Sequence, residues 1–331
     1  MSLEIIAEAA QGYLGDPPGR TKLLVEMAAA ASADAVKFQL VYADELCTRD
    51  HRHYRLFANL EMVDTEWEAV AERCRARKIN LYLDVFGPRS LDLACRLGVH
   101  GLKLHSTDVL NLPLIRQVAA ASVARVLLAA GGTFGPELTE AVALLEGKDL
   151  VLMHGFQGYP TRLEDNQLVR IGWLRAHYPR HAIGFADHVP EGNAERLWLS
   201  AAAVGAGATV LEKHLTTALV MREEDHESAL NPDDFAAWVA NMRQVCAAFG
   251  EVTEEPGLGM SDGERKYREQ MKKHVVAARD LPGGVVLDAA DLALKRTGAT
   301  GAVLHDLRAA EGRRLRTAVA HDRAIRPEDL S

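Results

Sequence analysis

Two histidines stand at matching ends of two short apolar runs, Gly184-Phe185-Ala186-Asp187-His188 and Leu211-Glu212-Lys213-His214-Leu215. Between them, residues 193–205 have helical apolar spacing and end in Gly205-Ala206-Gly207, which stops a helix. Strand, helix, strand in parallel puts both carboxyl ends on one face. The two imidazoles can then converge on one divalent ion, with Asp187 placed to complete its shell or orient a ring. Either histidine alone fits a satisfied core residue; two at matching strand ends favour a metal site. Lys37 in Val36-Lys37-Phe38-Gln39 and Lys103 in Leu102-Lys103-Leu104 are charges inside apolar runs. A buried ammonium needs an anion. That anion is a phosphate or carboxylate ligand, or a structural partner such as Glu8 or Glu212. Glu8, at the end of the first run, is the candidate for acid/base work. A metal that polarises a carbonyl, an anion seat and a proton-transferring carboxylate together suit carbon–carbon bond formation or cleavage.

The elements that must position these groups recur from the start of the chain. Short apolar runs fall at residues 4–9, 35–40, 80–86, 101–106, 125–131, 150–156, 181–187 and 209–215. Stretches of helical length fall at 19–32, 66–78, 89–97, 112–120, 136–146, 165–177, 193–204 and 232–249. Apolar strands alternating with helices predict a parallel sheet covered on both faces, and eight repeats in about 250 residues predict a closed (β/α)8 TIM barrel. The site then lies at the carboxyl ends of the strands. Glu8, Lys37, Asp84, Lys103, Ser106, Asp108, Gln157, Tyr159, Asp187, His188, Glu212 and His214 stand there. No Gly-rich dinucleotide or phosphate-loop fingerprint follows any strand. Barrel residues 1–250 lead into a polar linker, 251–273, and then a small β-rich module, 274–331. The module repeats a phrase: Leu287-Asp288-Ala289-Ala290-Asp291-Leu292 resembles Ile325-Arg326-Pro327-Glu328-Asp329-Leu330.

The 331 residues are 48% hydrophobic and 25% charged, with a net charge of −8, as expected of a soluble globular protein with a sizeable core. No basic run offers a nucleic-acid footprint. No apolar run is long enough for a membrane span, and the first residues do not read as a signal peptide. Four scattered cysteines without metal spacing suggest a reducing cytoplasm.

Several phrases together resemble the sialic acid synthase family: Ile5-Ile6-Ala7-Glu8-Ala9, Ala33-Asp34-Ala35-Val36-Lys37-Phe38-Gln39, Leu102-Lys103-Leu104-His105-Ser106-Thr107-Asp108, Tyr159-Pro160-Thr161, Gly184-Phe185-Ala186-Asp187-His188, Glu212-Lys213-His214-Leu215-Thr216 and Asp225-His226-Glu227-Ser228. The tail, with Val276-Ala277-Ala278-Arg279-Asp280 and Leu294-Lys295-Arg296-Thr297-Gly298, resembles that family's antifreeze-like (SAF, β-clip) domain. The resemblance implies condensation of phosphoenolpyruvate with an N-acetylmannosamine-type amino-sugar, releasing phosphate. It implies that His188 and His214 bind Mn²⁺ or Mg²⁺, that Lys37, Lys103 and Ser106 hold phosphoenolpyruvate, and that Glu8 orients sugar hydroxyls or a water. Tyr159 and Asp225 would line the sugar side, and Arg296 would reach it from the partner chain of a domain-swapped homodimer. Some positions depart from the family pattern. Its Ser-Thr-Pro-Phe reads Leu83-Asp84-Val85-Phe86 here, its Ser-Thr-Gly reads Ala129-Ala130-Gly131, its Asn near the sixth strand is Gln157, and its Ser before Asp-His is Ala186. These replacements leave two alternatives beside the synthase: another metal-dependent lyase or aldolase, and a non-catalytic sugar-binding relative.

Overall fold

The computed structural model describes residues 2–155, 158–250, 253 and 258–331. Eight parallel strands close into a barrel as expected: β1 (Glu4–Glu8), β2 (Ala35–Gln39), β3 (Asn80–Asp84), β4 (Gly101–Leu104), β5 (Arg125–Ala129), β6 (Asp149–Gly155), β7 (Ala182–Asp187) and β8 (Val210–His214), with β8 returning to pair with β1. The helices are α1 (Pro17–Ala30), α2 (Ala43–Leu46), α3 (Tyr54–Ala58), α4 (Asp64–Arg77), α5 (Pro88–Leu97), α6 (Leu112–Ala120), α7 (Gly135–Leu144), α8 (Val169–His177), α9 (Leu199–Ala206), α10 (Pro232–Phe249) and α11 (Asp262–Met271). The chain divides into two compact units, 1–250 and 251–331.

The strands read as near-continuous apolar runs because both of their faces are buried. Ile5, Val36, Phe38, Leu83, Leu102 and Phe185 pack outward under the helices. Ile6, Ala35, Tyr82, Leu127, Val151, Met153, Ala186 and Val210 fill the interior. Below them, the Tyr82 hydroxyl donates to Glu4 and accepts from Arg125, and Arg125 pairs with Glu4 and Asp149. This ionic group closes the amino-terminal end. It needs Gly101, since a Cβ there would stand 2.2 Å from the Tyr82 ring.

Two local expectations change. The predicted helix at 193–204 is a 3₁₀ turn, Ala194–Leu197, followed by α9, because the barrel-covering side chains begin only at Leu199. Leu197 is 59% exposed, and Arg196 turns to Asp234 on α10. The stop after α9 is as predicted, with Gly207 left-handed at φ 110°. Helices α2 and α3, in the β2–α4 connection, are too short to carry an apolar period and were not predicted.

In the second unit, α11 lies within the stretch read as linker and is capped by Ser261 and Glu264. Strands β9 (His274–Ala277) and β10 (Leu292–Lys295) pair antiparallel. The repeated phrase marks a real pseudo-symmetry. Leu292 pairs with Ala277 as Leu330 pairs with Leu315, each partner 38 positions on. The backbone bonds follow: Ala278 to Asp291 has its copy in Arg316 to Asp329, and Gly284 to Leu315 in Asp322 to Ala277. Leu281 and Val319 pair with each other at the centre.

Candidate active site

Side chains alternate along a strand, so one set of positions from each strand enters the barrel mouth. Glu8, Lys37, Asp84, Lys103, Ala129, Gly155, Ala186, His188, Glu212 and His214 all line a cavity of about 560 Å³ at the carboxyl ends of the strands. That is the face where barrel enzymes keep their sites.

The base of the cavity is a buried ionic cluster. Lys37 Nζ lies 2.8 Å from Asp84 Oδ1, touches Glu8 Oε2 and stands 3.9 Å from Glu212 Oε2. Lys103 Nζ is 2.6 Å from Glu212 Oε1. Both structural partners expected for the lysines, Glu8 and Glu212, are therefore present, and Asp84 joins them. Burial pushes the Glu8 carboxyl up to about 8, against the pull of Lys37. Burial acts the same way on Glu212, but Lys103 and Lys37 outweigh it and hold Glu212 below the usual carboxylate range.

Above the cluster, the His188 and His214 rings lie with centroids 5.2 Å apart. Tyr159 packs against both, at 5.6 and 5.7 Å. The backbone fixes the pair. The His188 carbonyl accepts from Thr161 N–H and from the Ser228 hydroxyl, and the His214 carbonyl accepts from Leu230 N–H. Burial lowers His188 to about 4 and takes His214 well below its usual range, so both imidazoles are neutral at physiological pH. Neutral imidazole is the form that ligates a metal. Among the described residues, no three His, Cys, Asp or Glu side chains form a ready metal shell. His188 and His214 are the residues that could hold a divalent ion here.

Other predicted residues divide. Ser106 and Tyr159 line the cavity, as does Asp225, whose carboxyl burial raises to about 6. The Tyr159 hydroxyl donates to the Asp225 carbonyl, and Asp225 accepts from Gln11 N–H at 3.3 Å. Asp187 does not enter the cavity, which corrects its expected catalytic or metal-shell role. Strand alternation turns it toward α9, where it accepts from Ser200, from Val189 N–H and from Lys213 Nζ at 2.9 Å. Asp108 is also corrected. Its carboxylate is spent on Asn111 Nδ2 at 2.9 Å and the Thr107 hydroxyl at 3.2 Å, away from the cavity lining. Gln157 lies outside the described residues, and Arg296 is an exposed residue of the second unit, just past β10. The sequence reading missed Arg52 and His53, which line the mouth from the β2–α4 connection. No periodic signal marks a loop residue of this kind.

A closed barrel whose mouth joins paired neutral imidazoles to a lysine–carboxylate cluster has the build of a barrel enzyme. The chain belongs to the NeuB family, whose model matches residues 24–254, and a SAF domain model matches residues 272–331. It is 26% identical to the N,N'-diacetyllegionaminic acid synthase of Legionella pneumophila, over 90% of this chain and 86% of that one. It is also 26% identical to the N-acetylneuraminate-9-phosphate synthase of Drosophila melanogaster, over 98% and 95% of the two chains. The crystal structure of the N-acetylneuraminic acid synthetase of Leptospira borgpetersenii, in complex with citrate, superposes with a TM-score of 0.74 at 26% identity, covering 82% of this chain and 93% of that one. The protein is an enzyme of the sialic-acid synthase type, and no helix among the described residues is long and apolar enough to cross a membrane.

Proposed function

We propose that the protein joins phosphoenolpyruvate to the open-chain aldehyde of an N-acetylmannosamine-type amino-sugar, giving a sialic-acid-like nonulosonic acid. One water enters at the enol carbon and phosphate leaves. The observation that carries this reading is the convergence, in one cavity, of the neutral His188–His214 pair with the Lys103–Glu212 pair and protonated Glu8. His188 and His214 would hold Mn²⁺ or Mg²⁺. Such an ion supplies Lewis-acid polarisation of a carbonyl oxygen.

The chain's own residues supply the rest. Lys103 and Ser106 seat the anionic three-carbon substrate by charge-assisted hydrogen bonds. Glu8 keeps its proton up to about pH 8, so it can donate to an oxygen that gains negative charge or orient the attacking water. Tyr159 shields the imidazoles, and Asp225 accepts from sugar hydroxyls at the rim. By family resemblance, the protein works as a cytoplasmic homodimer in which the 274–331 module of one chain brings Arg296 to the other chain's substrate.

The test mixes the full chain, phosphoenolpyruvate and a panel of N-acylated amino-sugar aldehydes. Phosphate should be released with Mn²⁺ present and not after chelation. The double variant His188→Ala, His214→Ala should bind Mn²⁺ at least tenfold more weakly by paramagnetic resonance titration. Absence of phosphate release across the panel would count against the reaction, and unchanged Mn²⁺ binding against the metal site.

A further inference from the structure

The two lysines of the cavity are spent unequally. Lys37 is 1% exposed and contacts the Asp84 carboxylate and the Glu8 carboxyl, with Glu212 at 3.9 Å. Lys103 is 6% exposed and, among the described residues, pairs with Glu212. Hydroxyl groups are distributed in the same sense. Ser106 and Thr107 line the cavity just beyond β4, on the Lys103 side. Among the described residues, strands β5 to β7 contribute Ala129, Met153, Gly155 and Ala186, which cannot donate from their side chains, and the Tyr159 hydroxyl beyond β6 already donates to the Asp225 carbonyl.

We propose that Asp84 is a specificity-determining residue: it closes Lys37 into an internal ion pair, so the anionic end of the three-carbon substrate is seated by Lys103 and Ser106 alone. A phosphate reaching Lys37 would have to displace Asp84 and leave that carboxylate buried without its cation. Breaking such a pair costs more than one new charge-assisted hydrogen bond returns. The phosphate group then adds little to binding, and the cavity discriminates weakly between phosphoenolpyruvate and pyruvate. This inference rests on the assignment of the cavity to a three-carbon enol or oxo acid.

Calorimetric titration of the full chain with Mn²⁺ present, using phosphoenolpyruvate and pyruvate as probes, tests it. The native chain should bind the two within about threefold of each other. Asp84→Asn and Asp84→Ala, checked for folding by circular dichroism, should bind phosphoenolpyruvate at least tenfold more tightly, with pyruvate little changed. Lys37→Met in the Asp84→Asn background should return phosphoenolpyruvate affinity to within about threefold of native, whereas Lys103→Ala should weaken both probes at least tenfold. A native preference for phosphoenolpyruvate above tenfold, a gain in Asp84→Asn that persists after Lys37→Met, or folded Asp84 variants with unchanged affinity would each overturn the proposal. Because binding is read directly, a chain that shows this pattern yet releases no phosphate with any sugar would keep the role of Asp84 and lose the proposed reaction.

Discussion

At the scale of single residues, the site depends on which groups keep their protons. Glu8 is buried, its Oε1 accepts from Ala10 N–H at 2.6 Å, and burial raises its acid to about 8 from an ordinary 4.5. A carboxyl with a raised folded pKa binds a proton more tightly in the native state. Its contribution to stability is therefore full below the unfolded value and is lost as pH rises through the folded one. Glu8→Gln, which cannot titrate, should flatten the fall in melting temperature between about pH 5 and pH 8. The measurement is a pair of thermal unfolding series, native and variant, with chelator present so that no metal intervenes. Parallel curves would show that Glu8 does not carry the shift. The histidine pair works in the opposite sense, since both imidazoles have depressed folded values and their neutral forms are lost only in acid.

At the scale of elements, strand alternation divides the barrel charges into two populations. Glu212 and His214 face the cavity, and Lys213 between them faces the helices. There its ammonium is 0% exposed and bonded to Asp187, which also holds Ser200 of α9. This pair ties β7, β8 and α9 together under the two strand ends that carry the histidines. Asp187→Ala would leave the Lys213 ammonium buried with, among the described residues, only the Val189 carbonyl, at 3.4 Å, in reach. Removing one partner of a buried ion pair costs about 3–5 kcal/mol. Denaturant unfolding of Asp187→Ala should show a loss of this order, and a loss below about 1 kcal/mol would mean that the pair is not structural. Replacing Asp187 by Asn, which retains acceptor oxygen, should cost less.

At the scale of the whole molecule, the barrel and the SAF module each have their own core. The module's core is small, ten buried apolar residues from Val275 to Leu330, and its fold is reinforced by the repeated backbone bonds across the Leu281–Val319 centre. The proposed dimer makes a definite prediction. Chains cut after Lys273 should fold as a barrel, bind Mn²⁺ and lack turnover. A mixed dimer of His188→Ala and Arg296→Ala chains should regain part of the activity, because one of its two sites keeps both groups. Activity assays on a mixed dimer verified by mass would check this, and a monomer in solution or no regained activity would rule out the exchange.

The sequence by itself determined the barrel, because eight apolar runs separated by helix-length stretches have few other ways to bury both faces of every strand. It also placed His188, His214, Lys37 and Lys103 at the mouth, since a charge or imidazole in an apolar run has nowhere else to be solvated or paired. The repeat in the last 58 residues was legible too, and its phrase keeps the true 38-residue spacing, Asp291 standing to Asp329 as Ala278 to Arg316. Tertiary structure decided who pairs with whom. Lys37 takes Asp84, 47 residues away, and Lys103 takes Glu212, 109 residues away. Such choices turn on ångström distances across a closed barrel, which local pattern does not encode. The same holds for Asp187 and Asp108. Both stand beside cavity residues in sequence, yet one turns outward by strand alternation and the other is consumed by Asn111 and Thr107. Adjacency along the chain marks where a site is, but the direction of each side chain and the nearest opposite charge determine which neighbours belong to it.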